Sequence, residues 1–243
     1  MCADIENGVG YDPRVFIGLP EDAIRKDFVK KVYATLAVQL SISALIAAPI
    51  ANASDEWLSA NVSWMRISLV GLLTFSLVAM CGSAKSMFRR HPLNLWVLLG
   101  FTICESVIVG FTCAMYEAQS VVLCLLVTTA AVVGISIFAL MTKTDVTQMR
   151  QYLCGAVLGL FMLGLMGSLM RTPFLQMLYA YGGALVFAGF LVYDTQMIVG
   201  GKHQHCRVGV DDYAFAALSV YLDIIRLFVF VLRITGRPRN NRR

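Results

Sequence analysis

The sequence predicts an all-α, polytopic membrane protein, and three observations carry that prediction. The 243 residues are 58% hydrophobic and only 14% charged, with a mean hydropathy of +0.71, far from the averages of soluble domains. Apolar runs of roughly 18 residues or more, the length that crosses a bilayer, occur six times clearly and once more weakly, filling nearly everything after about residue 30. These runs are apolar all round and longer than the alternating segments of about ten residues that build a transmembrane barrel, so they read as helices.

The elements follow in chain order. Residues 1–24 are polar, with turn formers in NGVGYDPR, and read as a mobile N-terminal tail. Asp4, Glu6, Asp12, Glu21 and Asp22 argue against a cleavable signal peptide, so the first span is expected to serve as the insertion signal. That span opens in AIRKDFVKKVYATLAVQLSISALIAAPIAN, behind Arg25, Lys26, Lys30 and Lys31. Further spans are predicted near 64–83, 93–115, 120–141, 152–170, 174–198 and 213–234. A seven-helix transmembrane domain thus covers 25–235, followed by a basic tail over 236–243.

Lys and Arg set the orientation. Twelve lie in the N-terminal segment and alternate loops, including Lys85, Arg89, Arg90, Lys143, Arg150, Lys202 and Arg207, against Arg66 and Arg171 in the opposite loops. By the positive-inside rule the N-terminus is cytosolic. Seven spans then put Arg233, Arg237, Arg239, Arg242 and Arg243 on the far side, whereas six spans and a re-entrant seventh would return them to the cytosol. Residues 213–234 are long enough to cross at about 1.5 Å per residue, which favours seven. Asn52 and Asn61 match N-x-[ST] in the first outer loop, which is too short for glycosylation to be expected.

The same bookkeeping excludes several function classes. Basic residues beside spans account for the net charge of +5 without nucleic acid. Five of the seven cysteines lie in or beside apolar runs and none forms a CxxC, so they read as small core residues. His203, His205 and Cys206 lie in a basic loop without an acidic partner, and read as solvated rather than metal-binding. No GxSxG or HExxH occurs, GGKH lacks phosphate-loop spacing, and no enzyme activity or tightly bound cofactor is expected.

Chemistry is expected inside the membrane, where an ionisable side chain costs about 2.5–3.5 kcal/mol on an insertion scale and marks function by default. Four stand out: Glu105, Asp194, Asp223 and Arg226. Glu105 reads either as a carboxyl bonding across to a neighbour such as Gln39, or as a cation ligand or proton relay. Asp194 sits near the end of span six and Asp223 in the middle of span seven, 14 and 15 residues either side of a loop midpoint near Val208. A symmetric hairpin brings the two to similar depth, although spans ending at Gly200 and starting at Asp211 leave Asp223 about 9 Å deeper. If they meet, like charges in a low dielectric cannot both ionise easily, so the pair shares a proton and senses pH. Ionised, it offers hard oxygens to calcium, too few for a closed cage and suited to weak transit. Arg226, three residues after Asp223, is expected to form an intrahelical ion pair with it and compete with any cation.

The stretches AIRKDFVKKVYATLAVQL, FRRHPLNLW, MTKTDVT, VYDTQMIVGGKH and DDYAFAALSVYLDIIRLF resemble those of the Bax inhibitor/lifeguard family, closest to its lifeguard branch, over about residues 24–235. The resemblance implies a seven-helix bundle with the last helix central, acting as a pH-sensitive calcium leak of intracellular membranes that restrains cell death. It places Asp194 and Asp223 on the family's paired aspartates. It also places Arg89 or Arg90 where a family arginine pairs with the first aspartate in a closed state. The family commonly has Asn where this chain has Arg226, and some members carry an acid within span two where this chain has none. The implied partners are the lipid bilayer, calcium and protons, and apoptosis regulators or other membrane proteins, with residence in the endoplasmic reticulum or Golgi. Two other readings compete. One is a non-conducting anti-apoptotic interaction protein. The other is an intramembrane aspartyl protease, which Tyr193-Asp194 fits but which the Val220-Tyr221-Leu222 stretch before Asp223 and the absence of P-A-L do not.

Overall fold

A computed structural model describes residues 21–80, 93–142, 144, 146–199 and 213–239. Its secondary structure is helical. The elements are α1 (Glu21–Ala51), α2 (Asp55–Ala60), α3 (Val62–Met80), α4 (Leu93–Cys113), α5 (Ala118–Met141), a 3-10 turn (Val146–Met149), α6 (Arg150–Met170), α7 (Pro173–Val199) and α8 (Tyr213–Thr235). The last five helices begin and end within two residues of the bounds expected from hydropathy. Six helices are long and apolar enough to cross a membrane: α4 to α8, and α1 from Arg25. The helix that falls short among the described residues is α3, over Val62–Leu77, and not the last one.

Local chemistry fixes several boundaries. Ser54 caps α2, its hydroxyl accepting from the Trp57 N–H at 3.3 Å. Arg171 takes a left-handed conformation (φ 50°) that ends α6, its N–H donating to the Gly167 carbonyl at 3.0 Å. Two residues on, Pro173 opens α7, where its missing N–H costs nothing.

Burial sorts the helices. α8 buries 61% of its most apolar stretch, whereas α5 and α6 each bury 11% of theirs and turn their apolar side chains outward. α8 packs against α7, α1, α5 and α4, while α3 leans chiefly on α4 and α6 on α7. Leu45, Ile67, Leu123, Phe138, Leu169, Phe174 and Leu185 lie exposed on the outside. Water does not tolerate so continuous an apolar surface, and a bilayer does, so the chain is a multi-pass membrane protein. With no hydrophobic drive between helices in lipid, close packing holds them together. Gly183 shows how: a Cβ there would meet the Phe230 ring of α8 at 2.3–2.5 Å. That ring is hemmed in by Tyr179 and Phe187, with centroids at 5.3 and 5.7 Å. Gly183→Val is therefore expected to destabilise the α7–α8 pair by about 1–3 kcal/mol, read as a lower midpoint of thermal unfolding in detergent. An unchanged midpoint would show that the ring moves aside freely.

Cross-helix bonds set the directions. Asn94 at the start of α4 donates to the Tyr213 hydroxyl at the start of α8 at 3.2 Å, and Gln39 of α1 donates to Thr102 of α4 at 3.1 Å. Arg25, at the start of α1, donates instead to the Met197 and Val199 carbonyls at the end of α7, so α7 runs the other way. Beyond α8, Glu117 N–H donates to Arg237 O at 3.0 Å and Arg239 N–H to Met115 O at 2.8 Å, around a bridge between Tyr116 and Pro238. Residues 236–239 thus lie at the end of the bundle opposite Arg25.

Candidate functional site

Asp194 and Asp223 meet. Their side chains are in hydrogen-bonding contact between α7 and α8, with Asp223 buried and Asp194 half-buried. Counted from Val199 and Tyr213, Asp223 lies about 7.5 Å further along its helix than Asp194 along its own. Because the two side chains nevertheless meet, they lie at one depth: the helix ends are staggered, and the depth difference expected for spans that end and start level does not arise. Two facing carboxylates, both ionised, have no donor between them, and Asp223 Oδ2 has no hydrogen-bond partner among the described residues. A shared proton or a cation is what such a pair lacks.

The surroundings of the pair are drawn from four helices. Arg150, the first residue of α6, acts on Asp194 as a nearby positive charge, and Tyr193 stands beside it in sequence. Tyr33 of α1 lies near Thr195, the next residue of α7, whose buried hydroxyl has no hydrogen-bond partner among the described residues. Gln196, one residue further, is 2% exposed, and its side chain holds the loop after α5. Its Oε1 accepts from the Val146 N–H at 2.9 Å, and its Nε2 donates to the Thr144 and Ala139 carbonyls at 3.0 and 3.4 Å. Gln196→Ala strands three backbone groups and is expected to cost about 1–3 kcal/mol. Loosened exchange protection at Val146 would report it, and unaltered protection would assign the loop's position to other contacts.

Arg226 corrects the expected pairing. It pairs across the bundle with Glu105 of α4, its Nη2 lying 3.3 Å from Oε1 and 3.5 Å from Oε2, rather than along its own helix with Asp223. Three residues rotate a helix by about 300°, so the two side chains leave α8 some 60° apart. Asp223 faces α7, and Arg226 faces the Glu105 side. A carboxylate 1% exposed demands a partner more strongly than a pair already facing each other. Glu105 is accordingly not a lone carboxyl bonded to Gln39, whose amide goes to Thr102.

A second polar seam surrounds that ion pair. Ser43 accepts from Ser106 at 3.0 Å and shares a 2.8 Å hydrogen bond with the Tyr221 hydroxyl. The signal for it was present: Gln39 and Ser43 on α1, and Thr102 and Ser106 on α4, each stand four residues apart, one polar stripe per helix. Arg150 and Gln196 had no comparable signal, since both lie at helix ends where polar residues are ordinary. Arg89 and Arg90, the other gating candidates, lie outside the described residues, as do His203, His205 and Cys206. Among the described residues no group of three or more His, Cys, Asp or Glu could hold a metal ion.

Comparison with known proteins places the chain in a family. The model of the family described as "Inhibitor of apoptosis-promoting Bax1" matches residues 25–240. The human Protein lifeguard 3 is 31% identical over 220 residues, 88% of this chain and 69% of the relative. The mouse protein of that name is 30% identical, with 88% and 70% covered. The Golgi anti-apoptotic protein of Vaccinia virus (strain Lister) is 28% identical over 239 residues, 96% of this chain and 94% of the relative. Matched through every helix from α1 to the docked tail, this multi-pass membrane protein belongs to the Bax inhibitor/lifeguard family.

Proposed function

We propose that the chain is a pH-sensitive, calcium-permeable leak of intracellular membranes, gated by the Asp194–Asp223 pair, which regulates calcium homeostasis and restrains apoptosis. The observation that carries the reading is the meeting of two carboxyls inside the bundle, on the most heavily buried helix and its neighbour. Protonated, the pair is held by its own hydrogen bond. Doubly ionised, it repels itself and presents oxygens to calcium at a site too sparse to trap the ion. Arg150 is the nearby cation that tempers the ionised state, and the neighbouring Tyr193 feels the charges of both Arg150 and Asp194. Neither calcium nor protons act through a tightly bound cofactor here. Arg89 or Arg90 would supply a further closing charge.

The topology that supports this function has seven spans with α3 as the shortest, a cytosolic N-terminus, α8 at the centre and the tail on the far face. Its burial and its four packing partners support a central α8. The name of the viral relative supports the Golgi as the place of action and protection from apoptosis as the outcome. That name speaks of protection and not of ions, which favours a second reading, a non-conducting protein that binds apoptosis regulators. Calcium flux into proteoliposomes separates the two. A leak admits calcium faster than empty liposomes and at a rate that depends on pH. Protein that stays impermeable, yet protects cells with both aspartates replaced by Asn, establishes the binding role instead.

A further inference from the structure

The Glu105–Arg226 pair lies outside the aspartate site, and the proposed gate makes no use of it. We infer that Glu105 and the oxygens around it form a second cation site within the membrane, occupied by the Arg226 guanidinium as a tethered cation and open to calcium when that guanidinium withdraws. The inference places this site on the leak proposed above, and rests on that reading for its role.

Four observations support it. Glu105 is 1% exposed, so its carboxylate is held for a cation and not for water. The guanidinium that answers it is loosely seated. One nitrogen, Nη2, serves both oxygens at 3.3 and 3.5 Å, longer than the 2.7–2.9 Å or so of a charge-assisted fork. Arg226 is also 42% exposed, so its head group is far less enclosed than the Glu105 carboxylate. Finally, the site is lined with hard oxygens. The Tyr221 hydroxyl lies within electrostatic reach of both charges and bonds to Ser43, which Ser106 also reaches. Gln39, one helical turn away beside Thr102, is 3% exposed and keeps a side-chain oxygen, Oε1, without a hydrogen-bond partner among the described residues. A buried amide oxygen with no donor is costly as an acceptor and natural as a ligand to a hard cation. One carboxylate and neutral oxygens give fewer ligands than the six to eight or so that calcium takes, so a calcium ion here keeps some of its water. A guanidinium, already cationic and weakly hydrated, fills the site without that need.

The test is calcium-dependent thermal stabilisation of purified protein in detergent, with Asp223→Asn as the background so that the aspartate pair adds nothing. Into that background Arg226→Gln empties the second site. Calcium at about tenfold over its dissociation constant is then expected to raise the unfolding midpoint by about 3 °C. The background protein alone should show no such shift. Adding Glu105→Gln should abolish it. A shift equal in background and variant, or one that survives Glu105→Gln, overturns the inference. Should Arg226→Gln fail to fold, Arg226→Lys keeps the charge on a shorter reach, and calcium must still stabilise it at higher concentration; a midpoint indifferent to calcium overturns the inference there too. Flux reports separately: a calcium shift in a protein that conducts nothing leaves the second site standing and sinks only the leak, and a leak without the shift does the reverse.

Discussion

Asp223→Asn is expected to hold calcium flux through the reconstituted protein at the wild type's acid-side value from about pH 5 to about pH 8, where the wild type changes several-fold. The reason is the protonation state that Asn imitates. An amide is neutral at every pH, so the variant keeps the pair in the condition it has when a proton sits between the carboxyls. Asp194→Asn should do the same from the other helix, because the pair titrates as a unit and either carboxyl can carry the proton. The paired measurement is therefore stronger than either alone. Two variants that match one another and differ from the wild type only at the alkaline end identify the pair as the sensor. Variants that keep the wild-type profile, or that differ from each other, place the sensor elsewhere, with Glu105 the next group to replace.

Arg226→Leu is expected to destabilise the protein more than Glu105→Gln does, although both break the same ion pair. Removing the arginine strands a carboxylate that is 1% exposed, while removing the glutamate leaves a guanidinium 42% exposed that can turn outward. Breaking a fully buried pair costs about 3–5 kcal/mol, and the exposure of Arg226 lowers this to about 2 kcal/mol for Arg226→Leu. For a chain of this size that is a fall of about 4–8 °C in the unfolding midpoint. Adding Glu105→Gln to Arg226→Leu should recover at least half of the loss, because it removes the stranded charge. Single losses of equal size, or a double variant whose loss is their sum, would mean that the two groups contribute independently and that the 3.3 Å contact stabilises nothing.

The sequence by itself determined that the chain is built of long apolar helices, where the last five of them start and stop, and which acids and bases lie within them. Those properties are local, because a bilayer demands a run of apolar residues of fixed length and leaves polar loops between runs. It also placed Asp194 near the end of one helix and Asp223 in the middle of the next, which is as close to a pair as chain position alone can bring them. Only the tertiary structure decided the partners. Arg226 stands three residues from Asp223 in sequence and bonds to Glu105, 121 positions away, because a turn of helix sends neighbouring side chains to different helices. Ser43, Ser106 and Tyr221 form one hydrogen-bonded seam from three helices. Gln196 anchors a loop 50 residues earlier. In each case hydropathy says what a residue costs inside the membrane, and packing alone says which group across the bundle offsets that cost.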